Sequence, residues 1–344
     1  MNIIPLKRNK YKEWDDFCLN SDDCWFWHTT NWLEYSKHYK PKLKSKSLSF
    51  FVNDDRGILA ICPLLIEEIE SDGILIRNIS FGGSYGPIPA LRNGLSIKRK
   101  ERILKFIFTH IDKLANKHEI SKILMKFTPI TKNFIEADFL PYNYLMKFNF
   151  YNTSLNTQII SLLKSEKDLW NDIRKGHKYD INRGGKVFEV NIFNKENMKK
   201  EIFNQYVFLH HKTSGRITRP LITFEMMYKW ILDGYGILCG LKYNGNFAGF
   251  AFVIIYKKAA YYASASDDPD IKTLIPISHI IQWEIIKWLK KNRYKYYEIG
   301  WQLFGEQYNN KPTEKEISIS SFKRGFGGYT VPLFLGIKNF VENE

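Results

Sequence analysis

The hydrophobic pattern changes its period along residues 261–328. Residues 261–263 end an apolar run that is typical of a strand, and a polar, acidic loop is predicted to follow. Over residues 277–288 the apolar positions recur at helical spacing behind Pro276, a residue that suits the first turn of a helix. Residues 296–300 then predict a second strand. Strand, helix and strand in this order predict a βαβ unit in a mixed sheet.

The same order of elements occurs in both halves of the chain. The first half predicts a β-meander, a helix and a strand, at residues 48–52, 58–65, 74–81, 96–117 and 122–127. The second half predicts a meander at residues 238–243, 248–255 and 259–263, followed by the helix and strand described above. This repetition predicts an internal duplication into two domains, residues 1–150 and 151–344.

Composition restricts the class of protein. A chain of 344 residues that is 44% hydrophobic can bury a large core, which excludes a disordered protein. Its formal net charge of +15 favours nucleic acid, phosphorylated metabolites or an anionic membrane surface as partners, although a lysine-rich compositional bias would give the same charge. Apolar runs stop well short of the roughly 20 residues that a transmembrane helix needs. The four cysteines show no framework spacing, so we predict a soluble protein of the reducing cytoplasm.

A glycine-rich segment at residues 82–87 invites two interpretations. Its G-x-S-x-G spacing matches the nucleophile elbow of serine hydrolases, but Pro87 and Pro89 follow where that elbow requires a helix. We therefore favour a turn whose glycines let the backbone approach a ligand.

Three segments of the second half carry a family resemblance. They are Gln282-Trp283 in the helix after Pro276, the strand Tyr297-Glu298-Ile299-Gly300, and the turn Phe322-Lys323-Arg324-Gly325-Phe326-Gly327-Gly328. Together they resemble the C-terminal half of the FemAB transferases, relatives of the GNAT acyltransferases that build amide bonds on peptidoglycan precursors, usually from aminoacyl-tRNA. The resemblance implies an α/β (α+β) fold of two tandem GNAT-like domains, each a mixed sheet flanked by helices. The chain lacks sustained heptads, so we expect no coiled-coil arm.

The resemblance also implies residues that bind the acceptor. Lys37 and Arg216 match positions where the family binds acceptor phosphate, and they would meet at a cleft between the two halves. Tyr85 begins a segment similar to one at the family's acceptor site. Tyr261 and Tyr262 are further candidates to hydrogen-bond a substrate, although strand alternation turns only one of them toward a cleft.

The densest basic element of the chain lies between the two halves. It contains Arg174, Lys175, Lys178 and Arg183 and resembles the family segment that precedes the second domain's first strand. We assign these residues to donor binding, with a solvated helix face as the alternative interpretation.

The chemistry implied is attack of an amine on an ester or thioester carbonyl. It requires proximity, a neutral amine and positive charge where the oxyanion develops. Lys323 is the candidate for that charge, with the glycines of residues 325–328 giving its ammonium room to approach. Glu298, at a strand end, and Asp267 or Asp268, in the predicted loop, are candidate proton acceptors or binders of the incoming amine.

The resemblance therefore favours amide formation on an amine of a nucleotide- or lipid-linked cell-envelope precursor, from aminoacyl-tRNA. One alternative is acyl-CoA-dependent N-acylation of an amino sugar in surface-glycan synthesis. Neither half carries the glycine pattern that GNAT enzymes use for the coenzyme A pyrophosphate, which favours the first donor. A non-catalytic RNA- or membrane-surface-binding protein is the other alternative. We expect no metal and no cofactor beyond the co-substrate. We also expect a cytoplasmic location, with peripheral contact at the inner face of the membrane. The sequence does not specify an oligomeric state.

Overall fold

The protein forms two compact units. The structure, a computed structural model, describes residues 1–71, 73–137, 141–271, 275–306 and 311–340. The first unit contains Met1–Leu155 together with the chain from Pro332 onward, and the second contains Asn156–Val331. The chain therefore passes into the second unit five residues later than the predicted boundary at 150.

Short strands and one long helix build the first unit. The strands are β1 (Asn2–Pro5), β2 (Lys44–Ser47), β3 (Phe50–Asp54), β4 (Gly57–Cys62), β5 (Leu65–Ser71), β6 (Ile74–Ile79), β7 (Gly86–Pro87), β8 (Ala90–Leu91), β9 (Lys122–Lys126) and β10 (Tyr151–Asn152). The helices are α1 (Tyr11–Asn20), α2 (Thr30–His38), α3 (Ile97–Lys117) and α4 (Lys132–Ile135), with 3-10 turns at Arg8–Lys10, Phe26–His28 and Tyr144–Phe148.

Longer strands build the second unit. The strands are β11 (Leu155–Ser161), β12 (Glu189–Phe193), β13 (Gly236–Tyr243), β14 (Asn246–Tyr256), β15 (Ala259–Asp267), β16 (Tyr296–Gln302) and β17 (Tyr329–Leu333), after which β18 (Leu335–Asn339) returns to the first unit. The helices are α5 (Glu166–Asp172), α6 (Lys175–Gly184), α7 (Lys200–Ser214), α8 (Leu221–Leu232), α9 (Ile277–Lys291) and α10 (Glu314–Arg324).

The predicted duplication is confirmed by the strand order. In the second unit the order is β12-β13-β14-β15-β16-β11-β17, with β15 and β16 parallel. The first unit has two pieces of sheet, β1-β3-β4-β8 and β10-β18-β9-β6-β5-β2, which the hydrogen bond from Leu48 N to Leu64 O (2.9 Å) links across the break. In both units the last strand of a meander is followed by a helix and then by a strand that pairs with it in parallel. A further strand pairs antiparallel with that parallel strand, on its other side.

The predicted assignment of the C-terminal segment to the second domain is wrong. β18 pairs with β9 over five residues, from Leu335 opposite Lys126 to Asn339 opposite Lys122, and also with β10. Asn143 Nδ2 donates to Leu335 O (2.9 Å), and Lys338 forms an ion pair with Asp112 (2.7 Å). These contacts place the segment from Pro332 onward in the first unit, because a strand belongs to the sheet that satisfies its backbone hydrogen bonds.

Helix α9 forms the centre of the second core. It is buried on more than one side, and Ile281, Ile285 and Leu289 are at most 2% exposed. Helix α3 instead has one buried face, because a lysine-rich face alternates with its apolar residues. The four cysteines are buried and form no disulfide, as expected for small apolar side chains. Within the described residues, no helix has the length and apolar character to cross a membrane.

One local prediction needs correction. The predicted acidic loop after residue 263 is strand as far as Asp267, because β15 continues to pair with β14 through Asp267 opposite Gly249. Most of the basic element lies on a helix of its own, separate from α5. Ile173 adopts an extended backbone conformation that ends α5, and α6 begins at Lys175.

Candidate active site

The two parallel strands of the second unit separate after a short pairing. β15 and β16 are paired only from Ala259 opposite Tyr296 to Tyr261 opposite Glu298, although both strands continue beyond this point. A register shift between Gln158 and Ile159 on the other side of β16 accompanies the separation. The separation begins at Glu298, one of the residues predicted to act in catalysis.

The first unit fills the corresponding gap with backbone. Pairing of β6 with β9 ends at Ile79 opposite Ile123, and β7 then pairs with β9 through Gly86 opposite Met125. Along the described part of the second unit, no strand takes this place beside β16. The gap between the parallel strands is therefore filled by a strand in the first unit and left without one in the described part of the second unit.

Lys323 reaches this gap from the last turn of α10, rather than from the glycine-rich turn as predicted. A Cβ atom added to Gly300 would lie 3.0 Å from Lys323 Nζ, so the ammonium lies against the bare backbone of β16. Gly300 has a φ of +93°, which disfavours any other residue at this position. Burial lowers the pKa of Lys323, and the nearby Glu298 carboxylate acts in the opposite direction. The structure thus brings together two of the three predicted catalytic residues.

Glu298 is held in place by the neighbouring strand. Its side chain is 3% exposed, and Thr157 Oγ1 of β11 donates a hydrogen bond of 2.8 Å to its Oε1. A buried carboxylate is costly unless it is paired or hydrogen-bonded, and here both a hydroxyl and a nearby ammonium stabilise its charge. Glu298 is therefore arranged to favour the charged form of Lys323.

Side-chain contacts fix α10 against β16. Arg324 Nη1 donates to Gln302 Oε1 (2.8 Å), and Leu303 N donates to Ser320 Oγ (3.0 Å). Gln302 is fully buried and Ser320 is 2% exposed. These contacts lie on both sides of Lys323 in the sequence, so they set the position of its side chain over Gly300.

The glycines after Lys323 do not make room for its ammonium, contrary to our expectation. A Cβ atom at Gly328 would lie 2.2 Å from Ile159 O, and one at Gly327 would lie 2.7 Å from Asp172 Cβ. Both glycines have positive φ, +77° and +82°. They permit close packing of the turn on β11 and α5, and Gln158 Nε2 fixes the turn by donating to Gly327 O (2.6 Å).

Two of the four predicted donor-binding residues have partners within the fold. Arg174 donates from its backbone N to Gly325 O (2.8 Å) and from Nη2 to Ser321 O, which satisfies carbonyl groups at the C-terminal end of α10. Lys178 Nζ donates to Asn171 O (3.0 Å).

The other two are more available to a ligand. Lys175 is exposed, and the guanidinium of Arg183 stacks over the Tyr179 ring at 5.2 Å. Within the basic element, Arg174 thus supports the Lys323 turn, Lys178 is bonded to α5, and Lys175 faces solvent.

Asp267 lies apart from Lys323 and Glu298. It is six residues beyond Tyr261 on β15, or about 20 Å along an extended strand. Ser278 Oγ donates to its Oδ2 (2.9 Å), and burial raises its pKa. Asp268 forms an ion pair with Lys212 (2.6 Å). These carboxylates form a separate acidic group near the start of α9.

The two tyrosines on β15 face opposite sides of the sheet, as alternation predicts. Tyr262 packs against the α9 core, where Gln282 is its hydrogen-bond partner and burial raises its pKa. Tyr261 lies opposite Glu298, at the last pair before the strands separate. Of the two, Tyr261 has the position closer to the Lys323 site.

The predicted acceptor residues of the first unit already have internal contacts. Lys37 Nζ lies 2.7 Å from Glu34 Oε1, and Glu34 also accepts a hydrogen bond from Tyr11. Burial disfavours the Glu34 carboxylate, but the bonds from Lys37 and Tyr11 outweigh it, and the pKa of Glu34 is lowered. Tyr85 OH hydrogen-bonds Thr153 Oγ1 (3.0 Å). A phosphate would have to compete with Glu34 for Lys37.

The glycine-rich turn of the first unit binds a carboxylate of the chain itself. The backbone N–H groups of Gly82 and Gly83 donate to the two oxygens of Glu67, at 2.6 and 2.8 Å. Ser80 Oγ donates to the same carboxylate, which is 1% exposed. Glu67 therefore occupies the position beside these glycines where we predicted a ligand.

Arg216 lies in the second unit, in the connection from α7 to α8. Gly215 ends α7 with a φ of +62°, and Ser214 Oγ donates to Arg216 O (2.8 Å). The Arg216 side chain is exposed, so it is available to an anionic ligand.

Sequence reasoning missed two residues of the site. Gly300 carried a detectable signal, since a glycine inside a strand often marks close approach of another group. Thr157 carried none, because a threonine in a strand is ordinary. In the part of the chain that the structure describes, no three His, Cys, Asp or Glu side chains cluster so as to hold a metal ion.

The chain has a FemAB-like fold of the GNAT type, in two tandem units. FemX has a TM-score of 0.65 to this chain at 13% identity, with 97% of each chain covered. L-PGS from Bacillus licheniformis has a TM-score of 0.55 at 10% identity, covering 96% of this chain and 91% of its own. A tandem GNAT protein from the clavulanic acid biosynthesis pathway has a TM-score of 0.53 at 9% identity, covering 100% and 99%. No protein-family model matches the sequence, and no curated protein is significantly similar to it.

Proposed function

We propose that this protein is an acyltransferase that forms an amide bond on an amine of a cell-envelope precursor. The observation that carries the proposal is the position of Lys323, whose ammonium lies against Gly300 beside the buried Glu298, where two parallel strands separate. The shared fold with FemX supports the same reaction class.

In this reaction the amine nitrogen bonds to the acyl carbonyl carbon and the bond to the donor's oxygen breaks. One proton passes from the amine to that leaving oxygen. Negative charge develops on the carbonyl oxygen in between, and a preorganised cation stabilises it. Lys323 supplies this cation, and Glu298 keeps it charged despite its burial.

We propose aminoacyl-tRNA as the donor. The exposed Lys175 and the partly exposed Arg183 of α6 offer contacts to phosphate groups. In contrast, Asp267 and Asp268 lie near the start of α9, and Ser278 in the first turn of that helix donates to Asp267. Carboxylates at this position disfavour a coenzyme A pyrophosphate by charge repulsion. An acyl-CoA donor is the second candidate, supported by the likeness of the fold to that of the tandem GNAT protein.

We propose a nucleotide- or lipid-linked amine as the acceptor, with its phosphates bound by Lys37 and Arg216. This places the protein in the cytoplasm, with peripheral contact at the inner face of the membrane. Both cations are accessible to a ligand, since Lys37 is partly exposed and Arg216 is exposed.

The experiment supplies purified protein with a pool of nucleotide-linked envelope precursors and, separately, with charged tRNA or with acyl-CoA. Mass spectrometry of the precursors identifies the donor through the mass added. We expect a product with charged tRNA and none with Lys323→Met. Binding of tRNA should weaken steeply with salt. If neither charged tRNA nor acyl-CoA gives a product, the proposal is rejected.

Acceptor binding is tested separately. Lys37→Ala and Arg216→Ala should each weaken binding of a nucleotide-linked precursor, whereas Lys42→Ala, at an exposed lysine of the first unit, should not. Equal affinity in all three variants would remove Lys37 and Arg216 from the acceptor site.

A further inference from the structure

A cavity of about 380 Å³ lies within the first unit, between α3 and the segment that follows β9. Its walls are mainly apolar and include Leu104, Phe127 and Phe134. A cavity of this size falls in the range that small-molecule ligands occupy. It belongs to neither the Lys323 site nor any residue assigned to the acceptor.

One polar group of this cavity is left without a partner. Thr128 lines the cavity and is 3% exposed, and its hydroxyl has no hydrogen-bond partner among the described residues. The neighbouring polar groups are satisfied. Asp23 accepts bonds from Leu91 N (3.0 Å) and Asn133 Nδ2 (2.6 Å), and Thr131 Oγ1 donates to Thr128 O (3.0 Å). An unpaired buried hydroxyl is costly and uncommon, so its presence here indicates a missing polar partner.

The rim of the cavity is both apolar and charged. Ile97 is 77% exposed and Tyr142 is 56% exposed, which places two large apolar side chains in water at the opening. Glu101 at the rim forms an ion pair with Lys147 (3.5 Å). Lys100, on the same turn of α3, also lines the cavity and has no ion pair within the described residues. The opening therefore combines apolar surface with an available cation.

We propose that this cavity binds a small carboxylate with an aromatic or alicyclic body and a hydroxyl group at its far end. The body packs against Leu104 and Phe127, the carboxylate lies at the rim with Lys100, and the hydroxyl reaches Thr128. The depth of Thr128 and the partial exposure of Lys100 set this direction of binding. The site is independent of the proposed transferase reaction.

Two probes that differ by one hydroxyl test the site, 3-(4-hydroxyphenyl)propionate and 3-phenylpropionate. Ligand-observed NMR titration of the full chain gives both dissociation constants. We expect the hydroxylated probe to bind about 3- to 10-fold more tightly, the effect of one net hydrogen bond. In Thr128→Val, which keeps the side-chain shape, this preference should disappear. In Lys100→Met both probes should bind more weakly by a similar factor.

Controls separate the site from general effects. Lys98→Met removes an exposed cation two residues before Lys100 that does not line the cavity, and it should change neither affinity. Leu104→Trp should fill the cavity and abolish binding of both probes, with circular dichroism to establish that the variant folds. Absence of binding at millimolar concentration, or an unchanged preference in Thr128→Val, would overturn the proposal even if Leu104→Trp does not fold.

Discussion

Replacing Lys323 with methionine tests the site most directly. Methionine has a similar length without the charge, so the oxyanion loses its cation while the packing over Gly300 is largely kept. Removal of one such donor typically lowers the rate by roughly 10²- to 10³-fold. The substitution also has a cost in stability. Glu298 is 3% exposed and retains its bond from Thr157, but it loses the nearby ammonium. We expect a loss of roughly 1–3 kcal/mol in the free energy of unfolding.

A second substitution separates these two effects. In the double variant Lys323→Met with Glu298→Gln, no buried charge is left without its counter-charge, so most of the lost stability should return. The transfer rate should stay low, because the oxyanion still lacks its cation. Lys315→Met, at an exposed lysine of the same helix, serves as the matched control and should change neither quantity.

The assay is single-turnover transfer at saturating donor and acceptor, with chemical denaturation of the same samples. The reasoning is refuted if Lys323→Met retains wild-type turnover. A raised KM with kcat preserved would refute it as well, because that outcome belongs to a lysine that binds substrate in its ground state.

Three further predictions follow from the same contacts. The pKa of Lys323 is lowered by burial, so activity should fall as pH rises through a value below 10.5, and Glu298→Gln should move this fall to lower pH in a single-turnover pH profile. Burial lowers the pKa of His279 from 6.5 to about 4. The stability that the neutral imidazole contributes is complete above pH 6.5 and is lost as pH falls toward 4. The free energy of unfolding of His279→Phe, measured by denaturation across this range, should therefore depend less on pH than that of the wild type. Gly328→Ala should lower stability by about 2 kcal/mol or more, since its Cβ would meet backbone at 2.2 Å and its φ is +77°, whereas Gly305→Ala, with no atom within 4 Å, should stay within ~0.5 kcal/mol by denaturation.

The sequence by itself determined the architecture of the second unit and its most specific residues. Helical spacing behind Pro276 and the apolar strand at 296–300 predicted the parallel pair and the helix between its strands, and both are present. Lys323 and Glu298 were singled out separately, from a glycine-rich turn and a strand end. The prediction of the helix and the two strands succeeded because periodicity reports on local backbone and on burial, which each element carries in its own residues. The catalytic roles of Lys323 and Glu298 stay a prediction.

Only the tertiary structure decided what surrounds these residues. Gly300 makes the room for the Lys323 ammonium that we had assigned to the glycines after it. Arg174 supports the end of α10, and the glycines at 82–83 bind Glu67.

The reason is that these contacts join residues far apart in the chain. The last strand illustrates it, since β18 lies in the first unit because β9 and β10 satisfy its backbone hydrogen bonds. A local pattern shows that a segment is a strand, but the choice of its partner depends on which distant backbone is left unpaired when the sheets form.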